Sequence, residues 1–555
     1  MSFLGDDLCL PHSDHDLAGD RPNEPPCLRG DRPEPVARLD IDECEGLGRL
    51  LCDGRSRHKQ PGAGSGLLEE MADTPSGKYP EAVGVARDRT VVHGSMVAHV
   101  GTRLQSEMFA GRHSAVACPG MTSSLRLSFP LERLKLDNGL RIVLIPDRSS
   151  SVVAVSVLYD VGFRSEPEGR SGFAHLFEHM MFQGSEQVPK GEFDRLLMGN
   201  GGVVNGTTAP DFTAYFEILP AAALEMALFL EADRMRSLQV DQENLDNQTA
   251  VVQEEIRLNV LNRAYGRFPW ILLPALMFDT YPNAHDGYGS FEDLEAARLE
   301  DVRDFFARFY TPANAVLTVC GDLQPDAAVR LIERHFAGIE GRRRPRLRSF
   351  TEPIRDEVRR SRYRDVFAPA PALALGYRVP DPIAHLDQIL ALDVLARVLA
   401  GGAASRLEQR LVHKEGLVTS VDAWIGEGQG WAGPFEMRDP TRFQVSAFYP
   451  RASDRSRIIE AIDEEIEAVT GGLEPGEVDR VVSRVTAEYA RKMNHMLNRS
   501  LGAAQFELLY DEPGLLDAIP ALYANVTARA VSEAARVWLR ADRRAELDIV
   551  PGGGQ

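Results

Sequence analysis

The alternation of apolar and polar residues divides the chain beyond residue 126 into predicted strands and helices. Leu131–Leu136 and Leu140–Ile145 flank Asn138-Gly139, and an Asn-Gly pair between two apolar runs is typical of a β-hairpin because both turn residues tolerate positive φ. Apolar residues recur with strand or helix periods along the rest of the chain. They predict strands at 152–158, 214–219, 315–319, 372–379 and 442–449, and helices from 220 and at 172–183, 241–261, 299–309, 385–399, 455–470 and 475–494.

These elements fall into two blocks of similar length, each beginning with strands and continuing with helices. We predict a first domain at 126–340, a linker at 341–360 and a second domain at 361–555, related by a weak internal duplication. Strands mixed with long helical hairpins predict an α+β fold. The linker holds the basic run Arg342–Arg348, which in so acidic a chain we interpret as solvated linker rather than as a site for nucleic acid or an acidic peptide.

Residues 1–125 have a different character. This segment is broken by Pro and Gly, and it holds five of the six cysteines but few aromatic residues. We expect a disordered extension, or sequence upstream of a start at Met121, because little apolar surface is available to offset the entropy of ordering. A zinc or disulfide module is the alternative, but the cysteine spacings match no zinc pattern.

Composition excludes several functions. The net charge is −20, which argues against a nucleic-acid protein and against a polybasic membrane-surface binder. No apolar run is long enough to span a bilayer, and neither Met1 nor Met121 begins a signal peptide. We therefore expect a cytoplasmic protein with reduced thiols.

The candidate chemistry lies at His175-Leu-Phe-Glu178-His179. On a helix, residues i and i+4 share one face, so both histidines can bind one metal ion, and Glu178 at its edge could reach a water molecule on that ion. A catalytic zinc needs a third protein ligand and an open position. Glu255 is the best candidate, since its neighbour Glu254 points about 100° away. The alternative is that the two histidines bind no metal and are simply neighbours on one face of a helix.

Several further motifs accompany this one in order. They are Asp160-Val-Gly162, Asn205-Gly-Thr-Thr-Ala-Pro-Asp211, Leu230-Glu-Ala-Asp-Arg-Met235, Val251-Val-Gln-Glu-Glu255, Phe309-Tyr-Thr-Pro-Ala-Asn314 and Gly401-Gly-Ala-Ala-Ser-Arg-Leu407. From about residue 127 to 550 the chain therefore resembles the pitrilysin/insulinase family of zinc metallopeptidases, in its short two-domain, processing-peptidase-like branch. The resemblance implies two homologous αβ-roll domains, each an antiparallel-rich sheet packed by helices.

The resemblance also implies a mechanism. One Zn²⁺ would be held by His175, His179 and Glu255, which lies at the family's spacing of about 76 residues after the second histidine. Glu178 would act as the general base. The strand at 214–219 would be an edge strand that pairs with an extended peptide. Substrate would therefore contact Asn205, Ala214 and Phe216.

Two departures from the family pattern qualify this prediction. A supporting glutamate of the family is replaced by Gln248, whose amide can still form hydrogen bonds. An Arg/Tyr pair that completes the family's active site is replaced by Val412 and Thr419, and neither can donate to the peptide in the same way. We therefore expect a homologous partner subunit that lacks the zinc motif and supplies the pair, or else a homodimer.

Three functions remain open on these grounds. The first is a zinc endopeptidase that hydrolyses short or unfolded peptides. The second is a non-catalytic scaffold or assembly subunit of the same family. Such a subunit would have no need of His175, Glu178, His179 and Glu255. The third is a peptide-binding module with structural zinc, which predicts a closed site of four ligands.

Overall fold

The computed structural model describes residues 127–346, 350–353, 356–426, 434–438 and 440–552, and the backbone of Thr90–Val92. The predicted disorder of 1–125, with its cysteine cluster, therefore lies almost wholly outside the described residues. Within the described residues, no helix combines the length and the apolar character that a membrane span requires.

The first half is built on a seven-stranded sheet in the order β1-β2-β3-β7-β4-β6-β5. Only β3 and β7 run parallel, and every other pair is antiparallel. The predicted hairpin is confirmed, with Glu132 opposite Leu144. The strands are β1 Thr90–Val92, β2 Leu131–Lys135, β3 Arg141–Pro146, β4 Val152–Tyr159, β5 Val203–Thr208, β6 Thr213–Pro220 and β7 Ala315–Gly321.

Nine helices belong to the first half among the described residues. The helix predicted at 172–183 is shorter, because the chain leaves the α conformation after Met180 and turns at Gly184, whose φ is 101°. The helix predicted to reach Leu261 continues beyond its α-helical part as a π turn at Arg257–Leu261. The helices are α1 Phe173–Met180, α2 Glu192–Gly199, α3 Leu224–Ser237, α4 Gln242–Ile256, α5 Leu272–Met277, α6 Tyr281–Ala284, α7 Phe291–Glu295, α8 Leu299–Phe309 and α9 Pro325–Phe336.

The second half repeats the plan with a five-stranded sheet in the order β10-β11-β9-β12-β8. Its only parallel pair is β8 with β12. The α+β class with two related sheet-and-helix halves is confirmed. The elements are β8 Arg359–Asp365, β9 Ala372–Val379, α10 Leu386–Ala400, β10 Ser420–Ile425, β11 Thr441–Phe448, α11 Arg455–Gly471, α12 Glu477–Met493, α13 Met496–Tyr510, α14 Leu515–Ala524, α15 Ala528–Trp538 and β12 Ala545–Pro551.

Each half lends a helix to the sheet of the other. Helix α13 of the second half packs on β4 and β7 of the first sheet, where Ser500 Oγ lies 2.8 Å from Ser156 Oγ. Helix α5 of the first half packs on β9 and β12 of the second sheet. At Gly376 in β9, an added Cβ would lie only 2.4 Å from Sδ of Met277, so glycine permits this close approach. The apolar cores of the two halves are therefore shared.

A buried arginine joins the two halves. Arg164 is 1% exposed and donates to both oxygens of Asp211, from Nε at 3.0 Å and from Nη2 at 2.6 Å. Its Nη1 donates to the carbonyl of Pro440 at 3.2 Å, and N of Arg438 donates to Asp211 Oδ2 at 2.6 Å. Bidentate pairing of this kind fixes orientation as well as distance.

Candidate metal centre

Glu166 caps the helix that carries the two histidines. Helix α1 begins after Gly172, which has a φ of 85° and no side chain to cap the helix. The buried carboxylate of Glu166 accepts hydrogen bonds from N of Gly172 at 2.8 Å and from N of Ala174 at 2.7 Å. A carboxylate here satisfies free N–H groups and complements the helix dipole. The first turn is thereby fixed immediately before His175.

The three predicted metal ligands meet at one point. Nε2 of His175 and Nε2 of His179 are 3.3 Å apart, as expected for residues i and i+4 of α1. Oε2 of Glu255, on α4, lies 3.5 Å from the first of these nitrogens and 3.4 Å from the second. In the described part of the chain, these residues form the one cluster of three or more potential His, Cys or carboxylate ligands.

The size of this triangle suits zinc. A tetrahedral zinc ion with ligand bonds of about 2.0–2.1 Å sets its ligand atoms roughly 3.3–3.4 Å apart, close to the three separations just given. The side chain of His175 is 4% exposed, whereas those of His179 and Glu255 are 22% and 23% exposed. The cluster is therefore closed on one side and open to solvent on the other. Three ligands and an open side are typical of catalytic rather than structural zinc sites.

Glu255 is in the ionised form that a carboxylate ligand of a metal ion requires. Burial disfavours its ionised form, but hydrogen bonds and charge from His175 and His179 outweigh burial and hold the pKa of Glu255 well below its usual range. A carboxylate must be deprotonated to bind a metal ion, and this one is deprotonated at neutral pH.

Glu178 lies between helix α1 and strand β5. It is partly exposed, and its Oε2 accepts a hydrogen bond of 2.7 Å from Oγ1 of Thr208. A Cβ at Gly206, two residues earlier on β5, would come within 3.1 Å of Cγ of Glu178. A small residue at 206 thus lets the strand run close to the carboxylate, and Thr208 holds that carboxylate in one orientation.

Tyr288 is a residue beside the site that the sequence analysis did not identify. Its ring stands edge-on to that of His175, with the centroids 5.5 Å apart. Burial, with the negative charges of Glu255 and Asp286, raises the pKa of Tyr288 to about 12. The phenol therefore stays protonated at neutral pH and can donate a hydrogen bond. It lies in a loop without hydrophobic periodicity, so only the folded chain reveals it.

The predicted edge strand is wrong by one position in the sheet. Strand β6, which includes the predicted 214–219, is paired with β4 on one side and with β5 on the other, so its backbone groups are used within the sheet. Ala214 and Phe216 are 0% and 8% exposed. Strand β5 pairs only with β6 among the described strands, so β5 is the free edge. It carries Asn205, which is partly exposed and whose Oδ1 accepts from N of Gly206 at 2.9 Å.

Comparisons with known proteins show the family to which the chain belongs. The family model described as Insulinase (Peptidase family M16) matches residues 141–283, and the one described as Peptidase M16 inactive domain matches residues 296–485. The zinc protease PqqE of Helicobacter pylori is 31% identical over 354 residues, which are 62% of this chain and 75% of that protein. The chain belongs to the insulinase family of peptidases, M16.

A second curated relative and a solved structure are also similar to this chain. The uncharacterized zinc protease YmxG of Bacillus subtilis is 28% identical over 299 residues, which are 52% of this chain and 69% of that protein. The crystal structure of a protease from Helicobacter pylori superposes with a TM-score of 0.70 at 25% identity and covers 76% of this chain and 100% of that one. The resemblance stated from the sequence motifs is confirmed.

Three residues differ from the family pattern, namely Gln248, Val412 and Thr419. Gln248 is 5% exposed and lies two helical turns before Glu255 on α4, and its Nε2 donates to Oδ1 of Asn247 at 2.7 Å. Val412 lies in a π turn at Glu408–Lys414 and is partly buried. Thr419 is exposed and donates to the carbonyl of Phe448 at 3.0 Å. A supporting role for Gln248 stays a prediction.

Proposed function

We propose that this chain is the zinc-bearing subunit of an endopeptidase that hydrolyses short or unfolded peptides. The observation that carries the proposal is the triangle of His175, His179 and Glu255, with ligand atoms 3.3–3.5 Å apart and an open side next to Glu178. The zinc proteases among its relatives support the same reading. A scaffold subunit would have no use for four functional side chains in this arrangement.

The residues of the chain divide the work of peptide hydrolysis. A zinc ion bound by the three ligands would supply a Lewis acid for the scissile carbonyl and for the attacking water. The carboxylate of Glu178 would take the proton of that water and then give it to the leaving amine. Thr208 would keep that carboxylate oriented, and Tyr288 would offer a neutral donor on the His175 side of the site.

Strand β5 supports an extended substrate. Its outer edge pairs with no other strand among the described residues, and Glu178 approaches it at Gly206. A peptide that added to this edge as a further strand would be held by its backbone, so its side-chain sequence would matter less than its extended conformation. This is why we expect flexible substrates rather than folded ones. Asn205 on the same strand would lie along the peptide.

We propose a partner subunit because Val412 and Thr419 replace the Arg/Tyr pair of the family. Val412 has no polar side-chain atom, and the hydroxyl of Thr419 is already used by Phe448. We propose that a homologous subunit without the zinc motif supplies these donors, or that two copies of this chain face each other. Full activity of the isolated monomer would overturn the proposal of a partner but not that of a peptidase.

The decisive test combines metal analysis with cleavage of an unstructured fluorogenic peptide, with and without the candidate partner. We expect about one zinc per chain. Glu178→Gln should keep the zinc and lose cleavage, and Glu255→Gln should lose both. Glu254→Gln is the matched control, because this exposed neighbour pairs with Arg257 instead and should leave both unchanged. Absence of zinc from the wild-type chain would favour the scaffold subunit.

A further inference from the structure

A basic cavity lies where the linker crosses the two halves. It has a volume of about 980 Å³ and shares no residue with the metal centre. Its cationic lining comes from three parts of the chain: the first half, the linker and a loop of the second half. These residues, here called the basic cavity, are Lys135, Arg141, Arg342, Arg343, Arg344 and Arg438.

The cations of the lining outnumber its acidic residues. Asp137 and Asp511 are the acidic residues of the lining. Behind it, the single carboxylate of Asp160 serves two guanidinium groups, accepting from Arg438 Nη2 at 2.7 Å and from Arg344 Nε at 3.1 Å. In the described part of the chain, no ion pair is formed by Lys135 or by Arg343, and both are exposed. The lining is therefore a locally positive region in a chain whose net charge is −20.

Arg141 gives the cavity an incompletely paired cation in its wall. It is 8% exposed, and its Nη1 donates to the carbonyl of Glu507 at 2.9 Å. The Glu507 carboxylate lies 3.6 Å away and also pairs with Arg133 at 2.8 Å. Nη2 of Arg141 is buried and has no hydrogen-bond partner among the described residues. Arg141 therefore adds a positive charge to the wall of the cavity that the shared Glu507 carboxylate only partly offsets.

We propose that the basic cavity binds a small anion with two or more phosphate groups. Guanidinium groups match phosphate oxygens in geometry and charge, and each phosphate offers several acceptors to donors that converge from different directions. The volume exceeds what a single phosphate fills, and the cations are spread along the cavity. Because the lining comes from both halves and the linker, a bound oligophosphate would tie these three parts together. This inference is independent of the proposed peptidase activity.

Titration calorimetry of the full chain with inorganic triphosphate tests the site. We expect saturable binding that weakens as salt is added. The double variant Lys135→Gln/Arg343→Gln should weaken it about 10- to 100-fold, because two charge-assisted contacts are lost. Both residues are exposed, so folding should be unaffected. The control Arg346→Gln/Arg529→Gln removes the same charge at exposed positions outside the cavity and should bind as the wild type does.

Two further measurements remove ambiguity. Triphosphate also chelates zinc, so zinc content is measured before and after titration; heat from chelation would be the same in both double variants. ATP is titrated in parallel: tighter binding than triphosphate would assign the site to a nucleotide, and equal binding would assign it to a bare oligophosphate. The proposal is overturned if no saturable binding occurs, or if the control weakens binding as much as the cavity variant does.

Discussion

Thr208 donates a hydrogen bond of 2.7 Å to Oε2 of Glu178 and so couples the free edge of the first sheet to the proposed general base. We expect Thr208→Val to keep zinc and to lower kcat about 10-fold or more, because a hydrogen bond to a charged group is worth about 1.5–3 kcal/mol. KM should change little. Thr208→Ser should restore most of the rate. Steady-state kinetics with one fluorogenic peptide checks kcat, KM and the rescue by serine, and metal analysis checks that zinc is kept. An unchanged kcat in the valine variant would contradict the assigned role.

The capping of helix α1 by Glu166 leads to predictions about zinc affinity and about stability. Glu166→Ala should lower the free energy of unfolding by about 1–3 kcal/mol, since two buried N–H groups lose their acceptor. It should also weaken zinc binding, because the first turn of α1 sets the position of His175. Glu168→Ala, two residues later and exposed, is the matched control. Urea unfolding and competition with a zinc chelator give the two values; equal effects of both substitutions would disprove the cap.

The exchange of helices between the halves can be tested at Gly376. In Gly376→Ala the new Cβ would approach Sδ of Met277 and both terminal methyls of Leu273, so these side chains or helix α5 itself must shift away from the second sheet. Overpacking of this kind costs about 1–3 kcal/mol. Gly338→Ala adds the same methyl where nothing lies within 4 Å and should be nearly neutral. Urea unfolding of the two variants decides; equal stability would mean that α5 does not pack closely there.

Asp517 predicts a pH dependence of stability. It accepts a hydrogen bond from N of Phe129 at 3.0 Å, yet burial raises its pKa to about 6. The ordinary value in an unfolded chain is about 3.9. Its contribution to stability is therefore fully present below pH 4 and is lost as the pH rises through 6.

Asp517→Asn should abolish that loss. Relative to the wild type, the free energy of unfolding of the variant should increase by about 1–3 kcal/mol as the pH rises from 4 to 7.5. At pH 4 the two proteins should differ little in this free energy. Urea unfolding of both proteins at several pH values measures the gain. A constant difference across this range would show that the carboxyl is not protonated in the folded protein as described.

The sequence predicted that His175, His179 and Glu255 come together, and the structure places them together. His175 and His179 share a face by helical geometry alone, and Glu255 follows from the family spacing. The edge strand was misassigned because a strand pattern reveals which face is buried but not which neighbours the strand has. Thr208 and Tyr288 were missed since their roles depend on contacts between distant segments.

Helix α13 shows why the interlocked core escaped prediction. Residues from Arg499 to Leu509 are all buried, with the first sheet on one side and helices of the second half on the other. A helix covered on all sides loses the single apolar stripe on which helix prediction depends. Its polar residues, such as Ser500 and Glu507, instead meet partners on the first sheet.

Strand β12 has a consequence for how the protein is made. Residues 545–551 occupy an inner position of the second sheet, between β9 and β8. During synthesis β8 and β9 therefore emerge without the strand that joins them, and about 170 further residues must follow before the sheet can close. The first half finishes its own sheet with β7, far earlier in the chain. We expect the first half to become compact first. The stage at which the second half is still incomplete on the ribosome should be the one most in need of chaperones.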